Sequence, residues 1–226
     1  ADRRIDADNP RTAGRELPAG LLSLRSAWAL TLGATLVFLL AAWSLGHVPL
    51  FLSPLCLLVI FGYSLFKRFS WSAHLVLGVA LALAPGGAWL AVTGTLNDLT
   101  IPLWLMLAVA CWVAGFDVIY SLQDHDFDRG RGLHSIPVRF GLRGALILSG
   151  ALHLGTVLAL LAVHLHAGLG AWHGLGLALI TATLIYEHAI VRPGDLSRID
   201  RAFFDLNGYI SLAYLLCAVL DLYLGP

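Results

Sequence analysis

Apolar residues fall in runs of about twenty along the chain, separated by short polar segments, and this alternation sets out its elements. The runs extend from about Ser23 to Leu45, Leu50 to Phe66, Trp71 to Val92, Ile101 to Ser121, Leu142 to Leu165, Leu169 to Val191, and Phe203 to Leu224. Each has about the length that a helix needs to cross roughly 30 Å of hydrocarbon. Backbone polar groups have no water to bond in lipid, so such segments must be helical. The pattern therefore predicts an all-α, polytopic transmembrane bundle with about seven helices. Pro85-Gly86-Gly87 predicts a kink in the third span. Gly78, Ala80, Ala82, Ala84, Gly86 and Gly87 on that span allow close helix packing or a groove.

The polar segments carry nearly all of the charge. Residues 1–20 contain the breakers Asn9-Pro10 and Pro18-Ala19-Gly20, which predict a helix end followed by an ordered loop. Composition agrees with a membrane location: 58% of residues are hydrophobic and 12% charged. The net charge of zero gives no reason to expect nucleic acid as a partner. All 14 Lys and Arg lie in residues 1–25, 67–68, 129–143 and 192–201, which are alternate loops of the seven-span arrangement. The positive-inside rule places those loops in the cytoplasm. Cys56, Cys111 and Cys217 sit inside apolar runs without ligand spacing, and read as core or lipid-facing residues. His164 and His166 read as interfacial, and His125 and His134 lie in an acidic loop; none is assigned a metal role. No G-x-S-x-G, P-loop or dinucleotide-binding pattern occurs, which argues against hydrolase and nucleotide-binding readings.

The candidate chemistry concentrates in D-V-I-Y-S-L-Q-D-H-D-F-D, residues 117–128. Asp117, Asp124 and Asp128, with Tyr120, have offsets that would share one face of a continuous helix. Carboxylates so placed repel one another unless a cation lies between them. A hard, oxygen-preferring ion such as Mg²⁺, often shared with a substrate phosphate, is the usual one. Asp2 and Asp6 form a second acidic pair. These patches are predicted to face each other across a membrane-embedded cavity and to bind a metal diphosphate. Tyr63-x-x-x-Lys67 and Arg68 would place a phenol and two cations beside it. Arg11, Arg15, Arg129, Arg131 and Arg139 are further candidates. Ordinary roles stand beside these: Asp117 paired to an arginine at a helix end, Asp2 and Asp6 paired to Arg3 and Arg4, Lys67 and Arg68 snorkelling to the interface, and Asp126 solvated.

Three stretches carry a family resemblance. D-R-R-I-D-A-D-N-P-R-T-A-G-R-E-L-P-A-G looks like the tail of N-x-x-x-D-x-x-x-D followed by N-P-R-T-A-x-R. Residues 117–141 resemble D-x-x-Y-x-x-x-D-x-x-x-D and its loop, and residues 186–211 resemble a later loop and last helix. The chain thereby resembles the UbiA superfamily of membrane prenyltransferases, most closely the 4-hydroxybenzoate polyprenyltransferase-like branch. The resemblance implies nine transmembrane helices, so with seven counted the first helix and most of the second are expected to be missing. Residues 1–226 would then be a single, N-terminally truncated domain.

The resemblance also implies roles. Asp2, Asp6, Asp117, Asp124 and Asp128 would hold Mg²⁺ on a polyprenyl diphosphate, with Asp117, Tyr120 and Asp124 catalytic. Tyr63, Lys67 and Arg68 would bind the diphosphate, and Arg11 or Arg15 the carboxylate of an aromatic acid. That acid would be 4-hydroxybenzoate, for ubiquinone, or a naphthoate-type acceptor, for menaquinone. The partners would be polyprenyl diphosphate, aromatic acid and membrane lipid, at a bacterial inner membrane with the active-site loops facing the cytoplasm. Two other readings compete: a cation-coupled secondary transporter, which would show inverted repeats and mid-membrane charges, and an inactive relative acting as a membrane scaffold.

Overall fold

The computed structural model describes residues 2–225. Among them nine α-helices follow in order: α1 (Arg3–Asp8), α2 (Leu24–Leu45), α3 (His47–Gly62), α4 (Ala73–Thr93), α5 (Thr100–Ser121), α6 (His125–Gly130), α7 (Ile136–His166), α8 (Ala171–Ile190) and α9 (Asn207–Leu224). Short 3₁₀ turns at Tyr63–Arg68 and Leu122–Asp124, and a π-helical turn at Arg201–Leu206, join them. Ser23 caps α2, its hydroxyl accepting from the Ser26 amide, and Ser135 caps α7 in the same way at Val138. Gly46, at φ 122°, is the lone residue between α2 and α3, a conformation that side chains disfavour.

Six helical segments are long and apolar enough to cross a membrane: Leu24–Leu45, His47–Arg68, Ala73–Thr93, Thr100–Gly130, Ile136–His166 and Arg201–Leu224. Helix α8 spans about 30 Å at the usual rise per residue, enough for a bilayer. Its apolar character is diluted by His173, Glu187 and His188, which explains why it stands apart from the six. Large apolar side chains point outward along the bundle, Phe51 being 84% exposed, as a lipid-facing surface requires. The chain is an integral membrane protein.

Within the bilayer, close packing rather than water exclusion holds helices together. On α4, Gly78, Ala80, Ala82 and Gly86 are buried, whereas Ala84 and Gly87 face outward. A Cβ at Gly78 would lie 2.3 Å from the Ala110 carbonyl oxygen, so glycine is what lets α4 and α5 touch there. Helix α4 runs through Pro85 without a break. A break in helical geometry occurs in α7, at Gly141 (φ 70°, ψ 170°). It divides a first turn, Ile136–Phe140, from the long span beginning at Leu142. At the end of the bundle that carries the acidic segments, Val118, Ile119, Leu122, Ile136, Ile199 and Leu206 form one buried cluster. It joins the end of α5 to the start of α7 and to the 191–206 segment. Each large side chain there contributes about 1.5–3 kcal/mol where burial removes it from water.

Candidate active site

The acidic segment follows α5 directly, through a tighter turn. Ser121 turns its hydroxyl back to the Val118 carbonyl, and the chain tightens into the 3₁₀ turn Leu122–Asp124 before α6 begins. Asp117, Asp124 and Asp128, expected on one face, each meet a different partner: His74, Arg11 and Lys67.

Asp124 is the most heavily bonded. Arg11 grips it with Nε to Oδ1 at 2.9 Å and with Nη2 on Oδ2. Asn9 donates to Oδ1 at 2.9 Å. Arg11 Nη1 also donates to the Tyr120 hydroxyl at 2.9 Å, and its guanidinium carbon lies 4.9 Å from the Tyr120 ring centroid. Burial works against the Arg11 charge. Its hydrogen bond to Asp124 and the Asp124 charge, followed by Tyr120, outweigh that, and its pKa is raised above the ordinary arginine value. Asp128, 1% exposed, lies 2.8 Å from Lys67 Nζ, an ion pair without regular hydrogen-bond geometry at Oδ2.

The N-terminal pair meets them across a cavity. Asp2 precedes α1 and accepts from Arg68 Nη2 at 2.9 Å, and Asp6 lies 3.6 Å from Arg15. Asp8 pairs with Arg131 at 2.8 Å. The cavity, about 140 Å³, is lined by Asp2, Asp6, Asp124 and Asp128 and by Arg11, Arg15, Lys67 and Arg68. Lys67 is fixed from behind, since its carbonyl accepts from the His134 amide at 2.8 Å.

Three expected members lie outside the cavity lining: Asp117, Tyr63 and Tyr120. Tyr63 and Lys67 lie on a 3₁₀ turn, with about three residues per turn, so the i,i+4 spacing does not align them as an α-helix would. Tyr63 remains within electrostatic reach of both Asp117 and Asp2. Asp117 meets His74 of α4, with 2.6 Å between Oδ2 and Nδ1. Tyr120 stacks on Phe203 at 4.0 Å between centroids, on the π-helical turn, with Phe204 edge-on at 6.2 Å. Arg11 or Arg15 was expected to bind an acceptor carboxylate; Arg11 pairs with Asp124 and Arg15 lies 3.6 Å from Asp6. Asp126, expected to be solvated, is 100% exposed.

Among the described residues, no three His, Cys, Asp or Glu side chains converge on a single metal position. The oxygen donors still suit a hard cation, and the cations around them suit phosphate oxygens. A diphosphate entering the cavity would supply the ligand oxygens that the chain does not bring to one point. The residues therefore fit a metal shared with a phosphate better than a metal held by protein alone. Asn9, His74 and Phe203 had no assigned role in the sequence pattern. Asn9 was visible as the residue before Pro10. His74 had one signal, a lone polar ring in an apolar span.

The fold is that of an all-helical integral membrane protein, and comparison with known proteins narrows it. The sequence profile described as the UbiA prenyltransferase family matches residues 1–211. The 4-hydroxybenzoate octaprenyltransferase of Aeromonas salmonicida (strain A449) is 34% identical over 227 residues, covering 100% of this chain and 76% of that protein. That of Vibrio atlanticus (strain LGP32) is 31% identical over 214 residues, covering 94% and 74%. The solved apo structure of a UbiA homolog from Aeropyrum pernix K1 superposes with a TM-score of 0.87 at 37% identity, over 98% of this chain and 81% of that one. A digeranylgeranylglyceryl phosphate synthase shares the fold, with a TM-score of 0.69 at 18% identity, over 97% of this chain and 77% of that one. The chain belongs to the UbiA prenyltransferase family and is thus a membrane prenyltransferase.

Proposed function

We propose that this protein transfers a polyprenyl group from polyprenyl diphosphate to 4-hydroxybenzoate, a step of ubiquinone synthesis, at a bacterial inner membrane with the charged end toward the cytoplasm. The carrying observation is the single cavity in which four carboxylates alternate with Lys67, Arg68, Arg11 and Arg15. The names of the curated relatives supply the acceptor. A transporter reading is disfavoured because the paired acids gather at one end of the bundle rather than at its middle.

In the reaction the allylic C–O bond breaks and its electron pair leaves with the diphosphate. The prenyl carbon then bonds to a ring carbon beside the phenol hydroxyl, and that carbon loses its proton. Mg²⁺, when bound, would neutralise charge that develops on the leaving diphosphate. Asp2, Asp6, Asp124 and Asp128 would hold it together with the diphosphate oxygens, with Asp117 nearby. Lys67 and Arg68 bind the phosphate oxygens and act where negative charge grows as the bond ionises. Tyr63, beside Asp117 and Asp2, borders the same region. Asn9 and Arg11 keep Asp124 oriented before substrate arrives, so the site needs little rearrangement. Tyr120, held between Arg11 and Phe203 just outside the cavity lining, would present its ring to the prenyl carbon beyond the diphosphate and help keep water from the allylic cation. Arg15, joined to Asp6 only at 3.6 Å, is the cation most available to an acceptor carboxylate. The apolar prenyl chain leaves toward lipid between helices.

The test is product formation in proteoliposomes with geranyl diphosphate, Mg²⁺ and 4-hydroxybenzoate. Prenylated 4-hydroxybenzoate that needs Mg²⁺ is the expected result. Product with 1,4-dihydroxy-2-naphthoate but none with 4-hydroxybenzoate would move the reading to menaquinone synthesis. No product with either would overturn it.

A further inference from the structure

His74 lies in the first turn of α4 and is 3% exposed. A buried imidazole in an apolar span is costly unless it is bonded. Its bond is to Asp117 on α5, and the packing of the two helices sets that bond's length. His74 and Gly78 are four residues apart and share a face of α4. Ala110, Ala114 and Asp117 follow at intervals of four and three, and share the facing side of α5. The bare Cα of Gly78 rests on the Ala110 carbonyl and near the Ala114 methyl. One turn away, that contact brings His74 Nδ1 to 2.6 Å from Asp117 Oδ2. Of the two neutral tautomers, only the one protonated at Nδ1 donates to a carboxylate there. Nε2 is then left as an acceptor, buried and without a partner.

This bond uses one oxygen of Asp117. Asp117 keeps 22% side-chain exposure, so its carboxyl is not sealed by the contact with His74. Near it lies Tyr63, which also senses Asp2 of the cavity wall. We propose that His74 is a positioning residue for the metal–diphosphate site: its Nδ1–H pins Oδ2 of Asp117 and so turns Oδ1 toward the metal-bearing end of the substrate. This rests on the prenyltransferase reading above. It also gives the close α4–α5 contact at Gly78 a function, since a looser contact would leave the histidine out of reach. Histidine–carboxylate partners behind a ligand hold it in one orientation, and losing them typically weakens metal binding about 10–100-fold.

The test uses a near-isosteric pair. His74→Met keeps bulk without a donor, and His74→Gln keeps a side-chain N–H. Mn²⁺ is the probe, its binding read by electron paramagnetic resonance in nanodiscs with geranyl thiodiphosphate present, with Asp117→Asn as reference and thermal unfolding as a check on folding. His74→Met is expected to weaken Mn²⁺ binding about 10–100-fold, with His74→Gln retaining most of it and the KM for 4-hydroxybenzoate unchanged in both. A purely structural histidine would lower thermal stability in the Met variant and leave Mn²⁺ affinity intact. Equal Mn²⁺ affinity in the Met variant and wild type, with weakened binding in Asp117→Asn, would overturn the role of His74 and leave the proposed function standing. Unchanged binding in Asp117→Asn would remove Asp117 from the metal site and the role of His74 with it.

Discussion

Two of the groups of ionisable side chains between the helices are completed in different ways. At the charged end, Asp2, Asp6, Asp124 and Asp128 each face a cation of the chain across an open cavity. Deep between α5, α7 and α8, Glu187 is fully buried and neither of its oxygens has a hydrogen-bond donor. His153 Nδ1 is 3.7 Å from it and 3.0 Å from His188 Nε2. His153 occupies space left by Gly115, where a Cβ would fall 2.3 Å from the ring. The first group is charge-matched and lines an open cavity, with Asp2 and Asp6 partly exposed and Asp124 and Asp128 buried. The second is more deeply buried, with Glu187 and His153 both shut off from solvent. Buried polarity in a membrane protein therefore marks function most strongly where it is both compensated and reachable.

The largest effect should follow from attacking the paired cavity. Asp124→Ala leaves Arg11 and Asn9 without their shared acceptor, and kcat/KM should fall on the order of 10²–10³-fold, as for other preorganised charge-stabilising groups. Retention of activity would remove the distinction between the two clusters. Arg11→Lys is milder. A lysine cannot reproduce the fork that grips Asp124 and reaches Tyr120, so turnover should fall on the order of 10-fold. Gly115→Ala attacks the more deeply buried group by pushing on the His153 ring. It should lower unfolding stability by about 1–3 kcal/mol, with turnover per folded molecule little changed. Glu187→Gln should have the smallest effect, because a neutral amide of equal size relieves a buried carboxylate that lacks a donor. Its melting temperature should match or exceed wild type. A large loss of activity there would place Glu187 among the functional groups.

Much of this was legible before any coordinates. The apolar runs and the confinement of lysine and arginine to alternate loops carried the bundle and its charged end. The placing of Asp2 and Asp6 opposite residues 124–128 was expected from the need of clustered carboxylates for a shared cation, and these residues do line one cavity. The route of the chain after Ser121 was not legible, because a three-residue 3₁₀ turn leaves no mark on hydrophobic periodicity. With it in place, Asp117 meets His74 while Asp124 meets Arg11 and Asn9. The π-helical turn that stacks Phe203 on Tyr120 was hidden for the same reason: the sequence there is compatible with plain α-helix. Helix α8 reads as one more span, and its polar residues give no sign of whether they face a partner or a void.

The central claim is that the charged end holds the diphosphate of the substrate. Its most direct test is a structure in lipid nanodiscs with geranyl thiodiphosphate and Mn²⁺. Diphosphate density between the Asp2–Asp6 and Asp124–Asp128 sides, touched by Lys67 and Arg68, is the predicted result. Diphosphate density beside Glu187 and His153, with the charged cavity filled only by solvent, would contradict the account.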